Sequence, residues 1–247
     1  MSLQHRLLRI SSRDRDKTSD PTHDFTINLN NIDGVHNLKS VIVKHVSFEN
    51  VFYNIDENNR TFTYNIASSP TSVQIPIGQY NSTTFMTALD LAATGVGLVT
   101  SLDALTSKFS FTSTTNIEFL AIASNPMAEV LGIEADSGSD AGTYSATGVV
   151  SLQGIRNVYI RSSSLSFGNL VNSNEGVNHD CIAVVPITGA YGSIINYITQ
   201  HDNIDDVDSD SSSGKNIQKI GIKLTDYAGN LLDLHSHHIT IVLKVYY

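Results

Sequence analysis

At 247 residues the chain is long enough to bury a full core, as one large all-β domain or two small ones. Its 15 basic residues against 24 acidic ones give a net charge of −9, which excludes wholesale binding of nucleic acid. One cysteine, Cys181, excludes an intramolecular disulfide, and no apolar run approaches the length of a membrane-spanning helix.

The first residues, MSLQHRLLRISSRDRDK, lack the uninterrupted apolar stretch of a secretory signal, so synthesis in a cytosol is expected. They hold five basic residues against Asp14 and Asp16, a local charge of about +3 on a body of about −12. Residues 1–20 are therefore expected to be a flexible arm that touches an acidic neighbour, nucleic acid or an anionic surface, or simply a solvated end. Next, Phe25, Ile27 and Leu29 alternate with polar residues, Asn31–Gly34 interrupt, and Leu38–Phe48 forms a longer β-branched run, which predicts a strand, a turn and a second strand.

Alternation continues at Arg60–Ile66 and Thr71–Ile77. Asn81 and Ser82 offer caps to FMTALDLAAT, where Phe85, Leu89 and Ala92 or Ala93 recur at helical spacing before Gly95. Gly97–Asp103 and Lys108–Ser113 form a hairpin candidate, with the apolar stretch Asn116–Ala123 after it. PMAEVLGI reads as one or two helical turns ended by Gly132, and Glu134–Thr147 as an exposed loop. Strands are expected at Leu152–Arg161 and Asp180–Ile187, the latter so apolar that it suggests burial on both faces, with Cys181 as an inert core thiol. After the acidic loop Asp202–Ser213 come strands at Ile217–Asp226 and Ile239–Tyr247. At least nine strands, one clear helix and no long linker favour a single sandwich.

Constellations that carry chemistry are incomplete. Gly229 followed by His235-Ser236-His237 opens like a cupin metal motif, but the remaining residues hold no glutamate to finish it, so a polar loop before the last strand is the simpler reading. Asp206, Asp208 and Asp210 occupy the first, third and fifth positions of a calcium loop; Ser211 stands where glycine is needed and Ile217 where a bidentate glutamate is needed. A solvated acidic loop, or a weak cation site at a subunit contact, is what remains. No nucleophile elbow or phosphate-binding glycine loop is present, so no catalytic residue and no cofactor is assigned.

Several phrases in order along the chain carry a family likeness: ISSRDRD, DFTINLNNIDGVHNLKSVIVKHVSFENVFYNI, PIGQYNSTTFMTAL, LTSKFSFTS with MAEVLGI, NVYIRSSSL, and IQKIGIKLTDYAGNLLDL. The chain resembles the single jelly-roll penton (minor capsid) proteins of virophages, polinton-like viruses and related large double-stranded DNA viruses. That resemblance implies an all-β fold, a single jelly-roll sandwich of two facing antiparallel sheets with about eight core strands. It also implies one domain over residues 21–247, beside a short amphipathic helix and the arm. The implied role is structural: a homopentamer at the icosahedral fivefold vertex, surrounded by a double jelly-roll major capsid protein and other minor capsid proteins, in the virion. Neither sequence-specific nucleic-acid binding nor membrane insertion goes with it. Arg13, Asp14, Arg15, Asp16 and Lys17 are the expected assembly segment. No long insertion stands out as a receptor-binding tower. The competing reading is a β-sandwich that binds host glycans or a receptor through its end loops; a cupin-type metal enzyme is a more distant third.

Overall fold

The computed structural model describes residues 4–29, 35–94, 97–119, 125–133, 137–139, 142–165, 170–172, 176–178, 180–199 and 215–247. The chain forms two compact units, Met1–Phe52 with Ile155–Tyr247, and Tyr53–Gly154. In chain order the first unit begins with β1 (His5–Ser11), a 3-10 turn at Ser12–Asp14, β2 (Asp24–Asn28), β3 (Val35–Leu38) and β4 (Ser40–Glu49). The second holds β5 (Thr61–Ile66), β6 (Ser69–Gln74), α1 (Ser82–Thr94), β7 (Val99–Leu102), β8 (Phe109–Ser113), β9 (Ile117–Phe119), α2 (Pro126–Leu131), β10 (Ser137–Ser139) and β11 (Gly142–Ser145). The first unit then resumes with β12 (Asn157–Arg161), β13 (Leu170–Asn172), β14 (Gly176–Asn178), β15 (Cys181–Pro186), β16 (Ile194–Ile198), β17 (Lys215–Ile217), β18 (Lys219–Thr225) and β19 (Thr240–Tyr246).

In the first unit, one four-stranded sheet runs β1-β19-β4-β16 and the other β15-β12-β18-β2. Counting only these eight strands in chain order, the first pairs with the eighth, the second with the seventh, the third with the sixth and the fourth with the fifth, all antiparallel. This nested pairing is a long hairpin rolled upon itself. β3 with β17 and β13 with β14 form small ribbons outside the two sheets. Alternation supplies the core: Ile10, Val46, Phe48, Ile195, Ile241, Leu243 and Val245 from one sheet meet Phe25, Ile27, Val158, Ile160, Val185, Ile220, Ile222 and Leu224 from the other. Arg161 is the charged member of this interior; its Nη1 meets Asp180 at 2.8 Å and its Nε donates to Thr225 Oγ1 at 2.8 Å, so the charge is paired by a carboxylate and hydrogen-bonded by a hydroxyl.

The second unit packs around aromatic rings. Phe62, Tyr64, Phe109, Phe111 and Phe119 are fully buried, with Phe62 and Phe119 stacked at 5.7 Å and Phe85 of α1 set edge-on to Phe109 at 5.8 Å. Asn81 caps α1 by accepting from Thr84 N–H at 2.9 Å, and Phe85, Leu89 and Ala93 form the buried stripe expected from their spacing. Asn125 acts as a strand in miniature. Its side chain accepts from Thr63 N–H at 3.2 Å and donates to Thr63 C=O at 2.8 Å, extending β5's ladder past the point where β9 stops pairing. At Gly132 the chain leaves α2 in a left-handed conformation, φ 73°, with its carbonyl accepting from Gly148 N–H at 2.8 Å.

Four expectations need correction. Residues 5–11 of the supposed flexible arm form β1, fully registered with β19 from His5↔Tyr246 to Ser11↔Thr240; Ile10 and Leu8 hold it on the core, and Arg6 on the same face with Leu7 on the other breaks the alternation in sequence. Residues 53–154, expected to be part of one domain over 21–247, are a compact unit of their own between β4 and β12 in the chain, unmarked in sequence because strand patterning continues through it. The stretch read as an exposed loop at 134–147 holds β10 and β11, whose small residues carry little strand signal. Finally β15 is an edge strand, mostly half-buried, rather than one covered on both faces.

Candidate functional site

One concave site stands out, and the sheet register explains its lining. Because Ile10, Val46, Phe48, Ile195 and Ile241 face the core, their neighbours Arg9, Ser11, Ser47, Glu49, Ile194 and Thr240 lie on the opposite face of the β1-β19-β4-β16 sheet. The segment 235–238, which leads into β19, joins Arg13 to wall this corner of the sheet and enclose an open cavity of about 490 Å³.

Electrostatics here run against the chain's average. Arg9 and Arg13 carry guanidinium groups that have no acidic partner among the described residues. The acidic group in the lining, Glu49, is held by His237, Nδ1 to Oε2 at 2.7 Å. His235 lies 3.5 Å from Asp233. His238 contacts Ser12 Oγ through Nδ1 at 3.1 Å, and the same hydroxyl accepts from Ile239 N–H at 3.1 Å. Burial holds His238 below the usual imidazole range, and repulsion from Arg13, Arg15 and His237 adds to it, which keeps this ring neutral near pH 7. His235 and Ser236 are consecutive left-handed residues, φ 46° and 68°, a backbone of higher energy retained at the rim.

The expected assembly segment borders the same corner. Arg15 is committed locally, donating from Nη1 to the Ser12 carbonyl at 2.8 Å and from Nη2 to the Thr18 carbonyl at 3.0 Å. Asp16 sits 3.9 Å from Lys219, and its N–H donates to Thr26 C=O at 2.8 Å. Arg13, Asp14 and Lys17 are exposed. Asp206, Asp208 and Asp210 lie outside the described residues. Among the described residues no group of three or more His, Cys, Asp or Glu could hold a metal ion, and no helix is long and apolar enough to cross a membrane. His235 and His237 stand out in the sequence, but Arg9 and Glu49 do not stand out as their companions, because three separate segments bring these groups together and no local spacing encodes it.

The four nested strand pairs define the class: a single jelly roll, here carrying a second compact unit between its third and fourth strands. Among solved structures the chain is similar to the mavirus penton protein, at 12% identity and a TM-score of 0.54, with 98% of this chain and 99% of that one covered. It is also similar to a chain of the Sputnik virophage solved by cryo-EM, at 11% identity and a TM-score of 0.43 over 99% of this chain and 97% of the other, a level on which no argument is built. No family model and no curated protein matches the chain.

Proposed function

We propose that this chain is a structural capsid protein that forms a pentameric capsomer at icosahedral fivefold vertices and contacts the surrounding major capsid protein, without chemistry of its own. The observation that carries the reading is the complete jelly-roll pairing order together with a likeness to the mavirus penton protein over nearly the whole of both chains. The fold suits the task. Two sheets folded over one core leave few open strand edges, and short polar loops at the ends provide contact surfaces. Fivefold closure needs a patch on each subunit that meets a different patch on the next. The exposed face and edge of β16 supply one such patch, since Ile194 and Ile198 are 67% and 66% exposed there.

Arg13 and Lys17 are the members of the assembly segment that reach for a neighbour, because Arg15 and Asp16 are engaged within their own subunit. Double jelly-roll major capsid subunits are the natural outer partner, and the virion is the location that follows. The test is the mass of the purified protein by light scattering over a range of concentration and ionic strength, followed by co-assembly with the major capsid protein. A species near five times the 26.8 kDa monomer, or incorporation that Arg13→Glu with Lys17→Glu reduces, supports the reading. A monomer that also fails to enter particles refutes it. Deleting residues 1–17 is the wrong probe, since it removes β1 from its sheet.

A further inference from the structure

We propose that the cavity under residues 235–238 binds the carboxylates of an acidic segment from a second copy of this chain. The cavity presents two guanidinium groups without an acidic partner among the described residues, Arg9 and Arg13, and the hydroxyls of Ser11, Ser47, Ser236 and Thr240, all suited to carboxylate oxygens. The acid among these residues, Glu49, is held 2.7 Å from His237, so two guanidinium groups stand against one carboxylate and the lining keeps an excess of positive charge. A volume of about 490 Å³ admits several side chains of an extended segment rather than one small ion. The consecutive left-handed residues His235 and Ser236 hold the rim in a costly conformation, as binding rims often are.

Charge selects the occupant. A chain of net charge −9 repels a long polyanion such as nucleic acid or an anionic membrane on average, whereas a short acidic segment can engage this corner alone. The densest acidic stretch in the chain is Asp202, Asp205, Asp206, Asp208 and Asp210, five carboxylates within nine residues. The lining of the cavity and the acidic stretch share no residue, so one copy can offer the first and the next copy the second, the pairing of unlike patches that a heterologous ring contact requires. Only the choice of a second copy as the partner rests on the capsid reading; the anion chemistry of the cavity does not.

The experiment titrates full-length protein against a fluorescent peptide of residues 201–214, read by anisotropy at low and at physiological ionic strength. The host protein carries Asn at 202, 205, 206, 208 and 210, so that its own copy of the stretch does not compete. Saturable binding is expected. It should weaken with salt and weaken by about tenfold or more in Arg9→Gln with Arg13→Gln, the loss of charge-assisted hydrogen bonds. A peptide with the five aspartates replaced by asparagine should not bind. Circular dichroism and thermal unfolding of the double variant establish that it remains folded; exposed arginines at the rim permit this. Binding that survives the double substitution, absence of binding at low salt, or displacement by inorganic phosphate at concentrations where sulfate and chloride do nothing would each overturn the proposal, the last by marking a phosphate site. The outcomes separate from those of the capsid reading. Oligomers that form equally well with Gln at 9 and 13 sink the proposal and leave the capsid role intact. Peptide binding by a chain that never oligomerises or enters particles upholds an acid-binding cavity and removes the capsid role.

Discussion

Replacing Tyr64 by Phe should make the protein more stable. Tyr64 lies on β5 with no exposed surface, its ring 5.0 Å from Phe62 and 6.4 Å from Phe119, and its hydroxyl is buried with no hydrogen-bond partner among the described residues. A buried hydroxyl that has lost water and gained nothing costs about 1–3 kcal/mol. Removing it opens a void of about one oxygen atom, worth only a few tenths of a kcal/mol at ~24 cal/mol per Å³. The net gain is about 1–2 kcal/mol, read as a higher urea midpoint with an unchanged slope. A second signature appears in alkali. Burial pushes the Tyr64 phenol up to about 12, above its ordinary value of 10.0, so the folded state keeps a proton that the unfolded state releases. The wild type therefore keeps its full stability below pH 10 and loses some as pH rises toward 12; the Phe variant lacks this loss. A destabilisation of 1 kcal/mol or more on Tyr64→Phe would refute the reasoning and mean that the hydroxyl is satisfied, for example by a buried water.

Further outcomes follow from other side chains. Asn125→Ala strips both partners from the backbone of Thr63 and should cost about 2–4 kcal/mol in chemical denaturation. Ala at Gly132 must take φ 73° and also place a Cβ 2.6 Å from the Gly148 carbonyl, whereas Gly97, at φ 75°, has open space around it. Gly97→Ala should thus cost about 1 kcal/mol and Gly132→Ala clearly more, a comparison that isolates the close approach. Cys181 should react with a disulfide reagent more slowly at pH 8 than a free thiol, because burial raises its pKa more than the nearby Arg161 lowers it. His238 is held below its unfolded value of 6.5, so the unfolded state binds a proton first as pH falls, and stability declines below about pH 6.5 toward the lower folded value. His238→Gln should flatten that part of the pH profile relative to wild type.

What was legible in the sequence were elements whose signal is local. Phe85, Leu89 and Ala93 mark α1 by spacing, Asn81 marks its start, Gly132 ends α2, and the alternation at Phe62, Tyr64 and Ile66 marks β5. Their arrangement as a jelly roll has no local signal and is implied in the sequence only by likeness to a known family. Signals that depend on distant partners were not legible. β1 was read as an arm because four of its seven residues are polar, and only pairing with β19 makes it a strand. The apolar run of β15 looked doubly buried, yet it lies at a sheet edge. The cavity draws Arg9, Glu49, Ile194 and His237 from four places, so composition and spacing were silent about it.

The pairing of β1 with β19 has a consequence for how the molecule is made. His5 meets Tyr246, partners separated by almost the whole chain, and β4 likewise takes its neighbours from β16 and β19. At about 5–20 residues per second, β1 leaves the ribosome some 10–50 s before the strand it must join. During that interval Leu8 and Ile10 have no sheet to cover them, while the unit at 53–154, built from contacts among its own residues, is free to fold at once. Such an order favours early folding of the inserted unit, late closure of the jelly roll, and a demand for chaperone protection that ends only when β19 emerges.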